Sequence, residues 1–196
     1  MSPLALDETI FLWINNSWSV PVLDFIMSAA SVAGNASGWI CLGLLWIFLA
    51  DRPNLKKRAI AFIITMALTG ALLHAAKFVA QRERPLEHFK HRIIAGEVVV
   101  KTPFERLTGS NSLPSGHSQA AFTAATFLAL YYRKWRMGLL GVAAVVAISR
   151  VYLGSHFPLD IVAGALMGIA AGFAAMKLDP NSPTFREPDE PDKTKV

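Results

Sequence analysis

The sequence predicts an all-α fold, a bundle of helices that crosses a membrane several times. Hydrophobic residues make up 53% of the 196 residues and charged residues only 17%, against roughly 25% charged residues in soluble domains. Apolar runs at this density are typical of membrane spans. Several runs are shorter than the roughly 20 residues that a span needs, so a soluble helical bundle is the alternative. The runs cover residues 38–50, 59–76, 119–132, 137–148 and 157–176.

About five transmembrane helices are expected when small and polar neighbours extend these runs. The first span depends on Gly34, Ala36 and Gly38 to reach its length. Together the spans predict one membrane-embedded domain over residues 1–178. The predicted spans lie near residues 33–50, 57–80, 116–133, 136–153 and 158–177.

The segment before the first span predicts a helix that lies in the membrane interface. Ile10, Trp13 and Ile14 follow at helical spacing. The indole rings of Trp13 and Trp18 suit the boundary between lipid and water. A helix packed against the bundle is the alternative. The segment has no basic N-terminal region, so we do not expect a cleaved signal peptide.

Basic connections predict which helix ends face the cytoplasm. The connection 51–58 carries four Lys and Arg residues and 133–136 carries three, and cytoplasmic connections are enriched in these residues. The proline-rich residues 179–196, with charges of both signs, predict a disordered cytoplasmic tail. With five spans, the loop 81–115 then lies on the outer face of the membrane.

Three polar clusters share that predicted outer face. They are residues 77–85, 112–117 and 149–160, at or near the ends of four different predicted spans. Loop charges scattered at random would show no such agreement. The clusters therefore predict one functional site.

The cluster 112–117 predicts an anion site at a helix start. Pro114 and Ser115 favour the start of a helix, and Gly116 lets a ligand approach the backbone closely. Free N–H groups and the helix dipole attract anions there. A plain helix cap is the alternative, but it does not explain His117, because a cap needs no histidine.

The cluster 149–160 predicts an activated histidine. Asp160 follows His156 by four residues, so its carboxylate can hold one imidazole nitrogen and leave the other free as a nucleophile or base. Asp160 as a helix-start charge is the alternative. Arg150, Lys77 and Arg84 add positive charge that suits phosphate oxygens, although Lys77 could simply extend from a span end towards water.

The remaining polar residues carry no chemical expectation. Arg82 and Glu83 are expected to pair on the solvated surface, and His74, His88 and His91 show no partner spacing. No cysteine pair, His-x-x-x-His spacing or acidic cluster offers a metal site. We therefore expect no cofactor and a phosphoryl transfer without a metal ion.

The three clusters together resemble the three-part signature of the type-2 phosphatidic acid phosphatase superfamily. This resemblance implies a membrane enzyme that removes phosphate from lipid phosphates or diphosphates without a metal. Its partners would be the lipid substrate and membrane lipids, not nucleic acid. The matching parts are Lys77-x6-Arg84-Pro85, Pro114-Ser115-Gly116-His117 and Ser149-Arg150-x5-His156-x3-Asp160.

The resemblance also implies a role for each matching residue. His156 would be the nucleophile that forms a phosphohistidine, Asp160 would orient it, and His117 would protonate the leaving group. The phosphate would be bound by Lys77, Arg84, Ser115, Gly116 and Arg150.

The opening segment "IFLWIN…VLDFIM" is similar to that of undecaprenyl diphosphate phosphatases, although many of these carry an acidic residue where Gly116 stands. Phosphatidylglycerophosphate and lipid A phosphatases share the signature and remain alternatives. So do a lipid phosphotransferase and a non-catalytic anion-binding membrane protein. The apolar runs argue against the soluble vanadate-dependent haloperoxidases of the same superfamily.

Overall fold

A computed structural model describes residues 3–103 and 108–177, and these residues form helices and connecting loops without a β-strand. The prediction of an all-α membrane bundle is confirmed. The predicted tail 179–196 lies outside the described residues. The helices are α1 (Pro3–Ser17), α2 (Pro21–Ala33), α3 (Ala36–Ala50), α4 (Leu55–Ala80), α5 (Pro85–His88), α6 (Lys90–Ile94), α7 (Gly116–Tyr131), α8 (Arg136–Tyr152) and α9 (Pro158–Lys177).

Three helical segments of the described chain are long and apolar enough to cross a membrane. They are Arg52–Ile94, Arg133–Tyr152 and Pro158–Lys177, and α2 with α3 forms a fourth if this bent pair is one span. The central helix α7 has 16 residues, which is shorter than the usual span. Three to four helical segments of the described chain are thus long and apolar enough to be spans, whereas the sequence predicted about five spans.

The first predicted span begins later than expected and follows a separate helix. Residues 21–33 form α2, which the sequence pattern did not predict, and α3 leaves it at an angle of 73°. Asn35 lies at this break and caps α3, because its Oδ1 accepts a hydrogen bond from Gly38 N at 2.6 Å. The helix expected over residues 33–50 therefore begins at Ala36, and Ala33 belongs to α2.

Helices α7 and α9 pack closely because α9 presents a glycine every four residues. A Cβ atom at Gly164, Gly168 or Gly172 would lie 2.5–2.7 Å from atoms of α7. Small residues at this spacing let two helix backbones approach in a membrane. Alanines on α7, including Ala121 and Ala124, are fully buried in the core that this helix forms with α3, α4 and α8.

One face of α1 packs on the bundle and another is exposed. The Phe11 ring is fully buried, with its centroid 5.1 Å from that of Phe157 and 5.9 Å from that of Phe89. Trp13 is 56% exposed and meets Trp18 edge-on at 5.2 Å. The helix thus joins the packing of the bundle while it presents tryptophan to the surroundings.

The two basic connections lie together at one end of the bundle. Arg58 donates a hydrogen bond to the Tyr132 hydroxyl at 3.4 Å, and the rings of Trp46 and Trp135 meet edge-on at 5.4 Å. The end of α4, the start of α7, the end of α8 and the start of α9 all lie at the opposite end. This end carries the three polar clusters.

Candidate active site

His156 lies in the short loop between α8 and α9, and this loop is held from both sides. The amide groups of Ser155 and His156 donate to Arg150 O at 2.9 and 3.1 Å, which closes the end of α8. Gly154 adopts a φ of +74°, and a Cβ atom there would lie 2.7 Å from Lys101 O. Glycine therefore suits this position on both conformational and steric grounds.

The imidazole of His156 meets a buried carboxylate. Its Nδ1 lies 3.5 Å from Asp160 Oδ2, with His156 3% exposed and Asp160 fully buried. Ser112 donates from Oγ to the same Oδ2 at 2.6 Å and lies 3.3 Å from His156 Nδ1. Phe157 N also donates to Oδ2, at 2.9 Å. The carboxylate is thus oriented by several donors, and its Oδ2 faces Nδ1.

Burial governs the charge of His156. Desolvation lowers the pKa of His156 to about 4, and the hydrogen bond to Asp160 only partly opposes this effect. The positive charges of Arg84 and Arg150 lower the pKa further. At neutral pH the imidazole is therefore uncharged. An uncharged ring held through Nδ1 keeps the lone pair of Nε2 available for attack.

Cationic side chains from three segments converge around this histidine. Arg84 donates from Nη1 to Ser155 O at 3.1 Å, directly before His156. Lys77 donates from Nζ to Asn111 O at 2.5 Å. Arg150 contacts the Ser31 hydroxyl through Nη1. The three predicted phosphate-binding cations therefore share one end of the bundle with His156.

The start of α7 completes the group of predicted residues. Ser115 N donates to Asp160 O at 2.9 Å, which joins this helix start to α9. The Ser115 hydroxyl is buried without a hydrogen-bond partner among the described residues, so it can donate to a ligand. Gly116 and His117 begin the helix, and His117 is half-buried and hydrogen-bonds the Ser31 backbone.

A polar cavity of about 390 Å³ opens beside Arg150. Its volume lies in the range of small-ligand sites, roughly 300–1,000 Å³. The Ser155 hydroxyl in its wall is buried and has no hydrogen-bond partner among the residues described. One cation and one unpaired hydroxyl group suit an anionic ligand. The cavity is lined by Ser28, Ser31, Val32, Asn35, Arg150, Leu153 and Ser155.

Nothing in the sequence indicated the part of three residues near Asp160. Arg82 and Ser112 contact Asp160 directly, and Asp7 contacts Arg82. Arg82 does not pair with Glu83 as expected, because its guanidinium contacts Asp160 and Asp7 instead. Ser112 and Arg82 both lie inside the polar clusters, but no spacing rule linked them to a carboxylate 48 or 78 residues away. Asp7 carried no signal beyond its place near a helix start.

Known proteins share sequence with most of this chain. The model of the PAP2 superfamily matches residues 58–183, which include all eight predicted site residues. An undecaprenyl-diphosphatase of Sulfolobus acidocaldarius is 30% identical over 183 residues, covering 92% of this chain and 82% of that protein. A lipid A 1-phosphatase of Rhizobium etli is 27% identical over 149 residues, covering 69% of this chain and 62% of that protein.

Solved structures share the fold. The crystal structure of LpxE from Aquifex aeolicus superposes with a TM-score of 0.72 and 28% identity, covering 88% of this chain and 95% of that one. A PAP2-type phosphatidylglycerolphosphate phosphatase from Bacillus subtilis has a TM-score of 0.64 at 22% identity, covering 93% of this chain and 89% of that one. Because the family model matches well over half of this chain, the chain belongs to the PAP2 superfamily.

Proposed function

We propose that this lipid phosphatase of the PAP2 type hydrolyses undecaprenyl diphosphate through a phosphohistidine on His156, at the outer face of a bacterial inner membrane. The observation that carries the proposal is the buried His156–Asp160 pair, surrounded by cationic side chains at one end of the bundle. A buried neutral histidine held by a carboxylate suits nucleophilic attack on phosphorus.

The proposed reaction has two steps. Nε2 of His156 forms a bond to the terminal phosphorus while the bond to the bridging oxygen breaks, and His117 gives a proton to that oxygen. Asp160 stabilises the imidazolium that forms. Water then attacks the phosphorus and gives a proton back to His117, the bond between phosphorus and Nε2 breaks, and orthophosphate leaves with the neutral ring restored. In both steps Lys77, Arg84 and Arg150 would stabilise the charge on the equatorial oxygens, together with donors from Ser115 and Gly116.

A diphosphate substrate is supported by the relative named undecaprenyl-diphosphatase and by the polar cavity beside Arg150. Ser31 lines this cavity and also hydrogen-bonds His117, the proposed proton donor to the leaving group. The cavity would thus accept the phosphate that stays on the lipid. The unpaired Ser155 hydroxyl would donate to that phosphate.

The position of the two basic connections supports an active site on the outer face. The basic connections 51–58 and 133–136 meet at the bundle end opposite His156. Cytoplasmic connections are enriched in Lys and Arg. Substrate in the outer leaflet would then reach His156 without crossing the bilayer.

The decisive assay compares lipids with purified protein in detergent. Undecaprenyl diphosphate, lipid A and phosphatidylglycerophosphate are each supplied with EDTA present, and released phosphate is measured for the wild type and for His156→Ala. We expect the highest kcat/KM with undecaprenyl diphosphate, no turnover by His156→Ala, and acid-labile phosphate trapped on the wild-type protein only. Turnover by His156→Ala, or strict dependence on a divalent ion, would refute the mechanism.

Lipid A is the second candidate substrate. Its support is the 27% identity to the lipid A 1-phosphatase of Rhizobium etli. The same assay separates the two candidates, because a lipid A phosphatase would release phosphate from lipid A faster than from undecaprenyl diphosphate. Adding a lipid alcohol as acceptor and analysing the products distinguishes hydrolysis from phosphotransfer.

A further inference from the structure

The Arg82 guanidinium joins two buried carboxylates from different helices. Its Nη1 donates to Asp160 Oδ1 at 2.7 Å, and its Nη2 donates to Asp7 Oδ2 at 2.5 Å. Asp160 is fully buried and Asp7 is 3% exposed. Asp7 Oδ1 also accepts a hydrogen bond from Leu159 N at 2.8 Å. The planar face of the guanidinium lies 4.3 Å from the Phe157 ring centroid.

The two oxygens of Asp160 have different partners. Arg82 engages Oδ1, while Oδ2 faces His156 and accepts from Ser112. A guanidinium has a fixed planar fork, so it restrains rotation of the carboxylate that it binds. It also supplies the opposite charge that a buried carboxylate requires. Arg82 therefore helps to orient the carboxylate that holds His156, together with Ser112 and Phe157 N, and it supplies the compensating positive charge.

Asp7 in turn restrains Arg82. The Arg82 side chain is 19% exposed, and a long side chain so close to solvent has many conformations available. Its ion pair with Asp7 selects the conformation that reaches Asp160. Because Asp7 also binds Leu159 N, the first helix is connected to both Asp160 and the start of α9.

We infer that Arg82 is a positioning residue for the His156 nucleophile, and that α1 belongs to the catalytic apparatus through Asp7. This inference rests on the proposed function, in which Asp160 orients His156. It assigns to the N-terminal helix a part in catalysis that is distinct from its packing through Phe11. No contact between α1 and the substrate is needed, because the effect passes through Asp160.

The neighbouring residue Glu8 provides a matched control on the same helix. Glu8 contacts His88 Nε2 at 3.0 Å and Arg92 Nη1 at 3.4 Å, in an exposed network that does not include Asp160. Both acidic residues therefore connect α1 to the segment that follows α4. Only the Asp7 connection includes Asp160, so a role limited to anchoring α1 would make the two residues equivalent.

The test measures kcat and KM for lipid phosphate hydrolysis in paired variants. Arg82→Gln and Asp7→Asn should lower kcat about 10- to 100-fold, the effect typical of residues that orient a reacting ligand, with little change in KM. Arg82→Lys should recover part of kcat, because it keeps the charge but loses the planar fork. Glu8→Gln and Arg92→Gln should keep the wild-type kcat.

The double variant Asp7→Asn/Arg82→Gln should have the same kcat as Arg82→Gln alone. The change Asp7→Asn keeps an oxygen that can accept from Leu159 N, so its effect should pass through Arg82. Thermal unfolding midpoints of all variants show whether the fold is kept. If Arg82→Gln does not fold, then Asp7→Asn and Arg82→Lys carry the test. Additive losses in the double variant would overturn the inference, as would equal losses in Glu8→Gln and Asp7→Asn or a change confined to KM.

Failure of the proposed function gives a different result. Wild-type protein and His156→Ala are measured in the same assay. If the wild type releases no phosphate, or if His156→Ala keeps its activity, the proposed function fails and this inference fails with it. If both behave as proposed while Arg82→Gln keeps the wild-type kcat, only the inference on Arg82 is refuted.

Discussion

Ser115 and Asp160 come from different helices and are joined by a hydrogen bond from Ser115 N to Asp160 O at 2.9 Å. This bond places the helix start that carries His117 beside the helix start that carries Asp160. Close packing of α7 on α9 brings the two residues within reach, and the α9 glycines allow that packing. The two histidines of the candidate site are thus positioned by one helix–helix contact.

The first prediction concerns this contact. Gly168→Ala should destabilise the protein by about 1–3 kcal/mol, the usual cost of overpacking, because its Cβ would lie 2.6 Å from Gln119 O on α7. It should also lower activity by moving His117 away from His156. The control is Gly141→Ala on α8, where no atom lies within 4 Å of the added Cβ. Thermal unfolding midpoints in detergent compare the two variants, and equal midpoints would contradict the proposed packing role.

The second prediction concerns the leaving group. His117→Ala should slow a lipid phosphate monoester more than a lipid diphosphate, because an alkoxide needs a proton to leave whereas a phosphate leaves readily as an anion. General acid catalysis contributes about 10²- to 10⁴-fold, and we expect a loss in this range for the monoester. The exposed His74 on α4 serves as the control histidine through His74→Ala. Equal losses of kcat with both substrates would argue against His117 as the proton donor.

The third prediction concerns pH. An unperturbed histidine loses its proton near pH 6.5, whereas burial lowers the pKa of His156 to about 4. The nucleophilic neutral form therefore persists down to about pH 4, so kcat/KM should show no loss near pH 6.5 that is due to this residue. The kcat/KM profile reports the free enzyme and free substrate. If kcat/KM falls at a different pH for the monoester and for the diphosphate, the ionisation of the substrate causes the fall. A fall in kcat/KM near pH 6.5 with both substrates would contradict the prediction.

The same shift predicts how stability depends on pH. The unfolded chain binds a proton at His156 near pH 6.5, but the folded protein binds it only near pH 4. His156 should therefore lower stability progressively as the pH falls from 6.5 towards 4, and should have no such effect above 6.5. The difference between the unfolding midpoints of the wild type and His156→Ala should be constant above pH 6.5. It should shift against the wild type as the pH falls towards 4, and a difference that does not depend on pH would contradict the prediction.

The fourth prediction concerns the orientation in the membrane. Cys41 is the only cysteine of the sequence, so a Cys41→Ala background permits labelling at single sites. Thr108→Cys should react with a membrane-impermeant maleimide in intact cells, because residue 108 lies in the loop of the candidate site. Lys134→Cys, in the basic connection at the other end, should react only after lysis. The reverse pattern would place the site in the cytoplasm and exclude an outer-leaflet substrate.

The fold class and the candidate site residues could be predicted from the sequence alone. Apolar runs record burial in lipid directly, because each residue contributes to the hydropathy of its own segment. The pair His156 and Asp160 is also local, four residues apart, and the structure places Nδ1 and Oδ2 at 3.5 Å. The spacing of four residues was therefore enough to predict that Asp160 holds His156.

The contacts that hold Asp160 and the path by which the chain enters the bundle could not be predicted from the sequence. Arg82 and Asp7 are 75 residues apart, and Arg82 and Asp160 are 78 residues apart, so no local pattern links them. The angle of 73° between α2 and α3 was likewise hidden, since both segments are apolar and composition does not encode direction. Such long-range contacts form when helices pack. The sequence of one segment does not specify which surface of another helix it will meet.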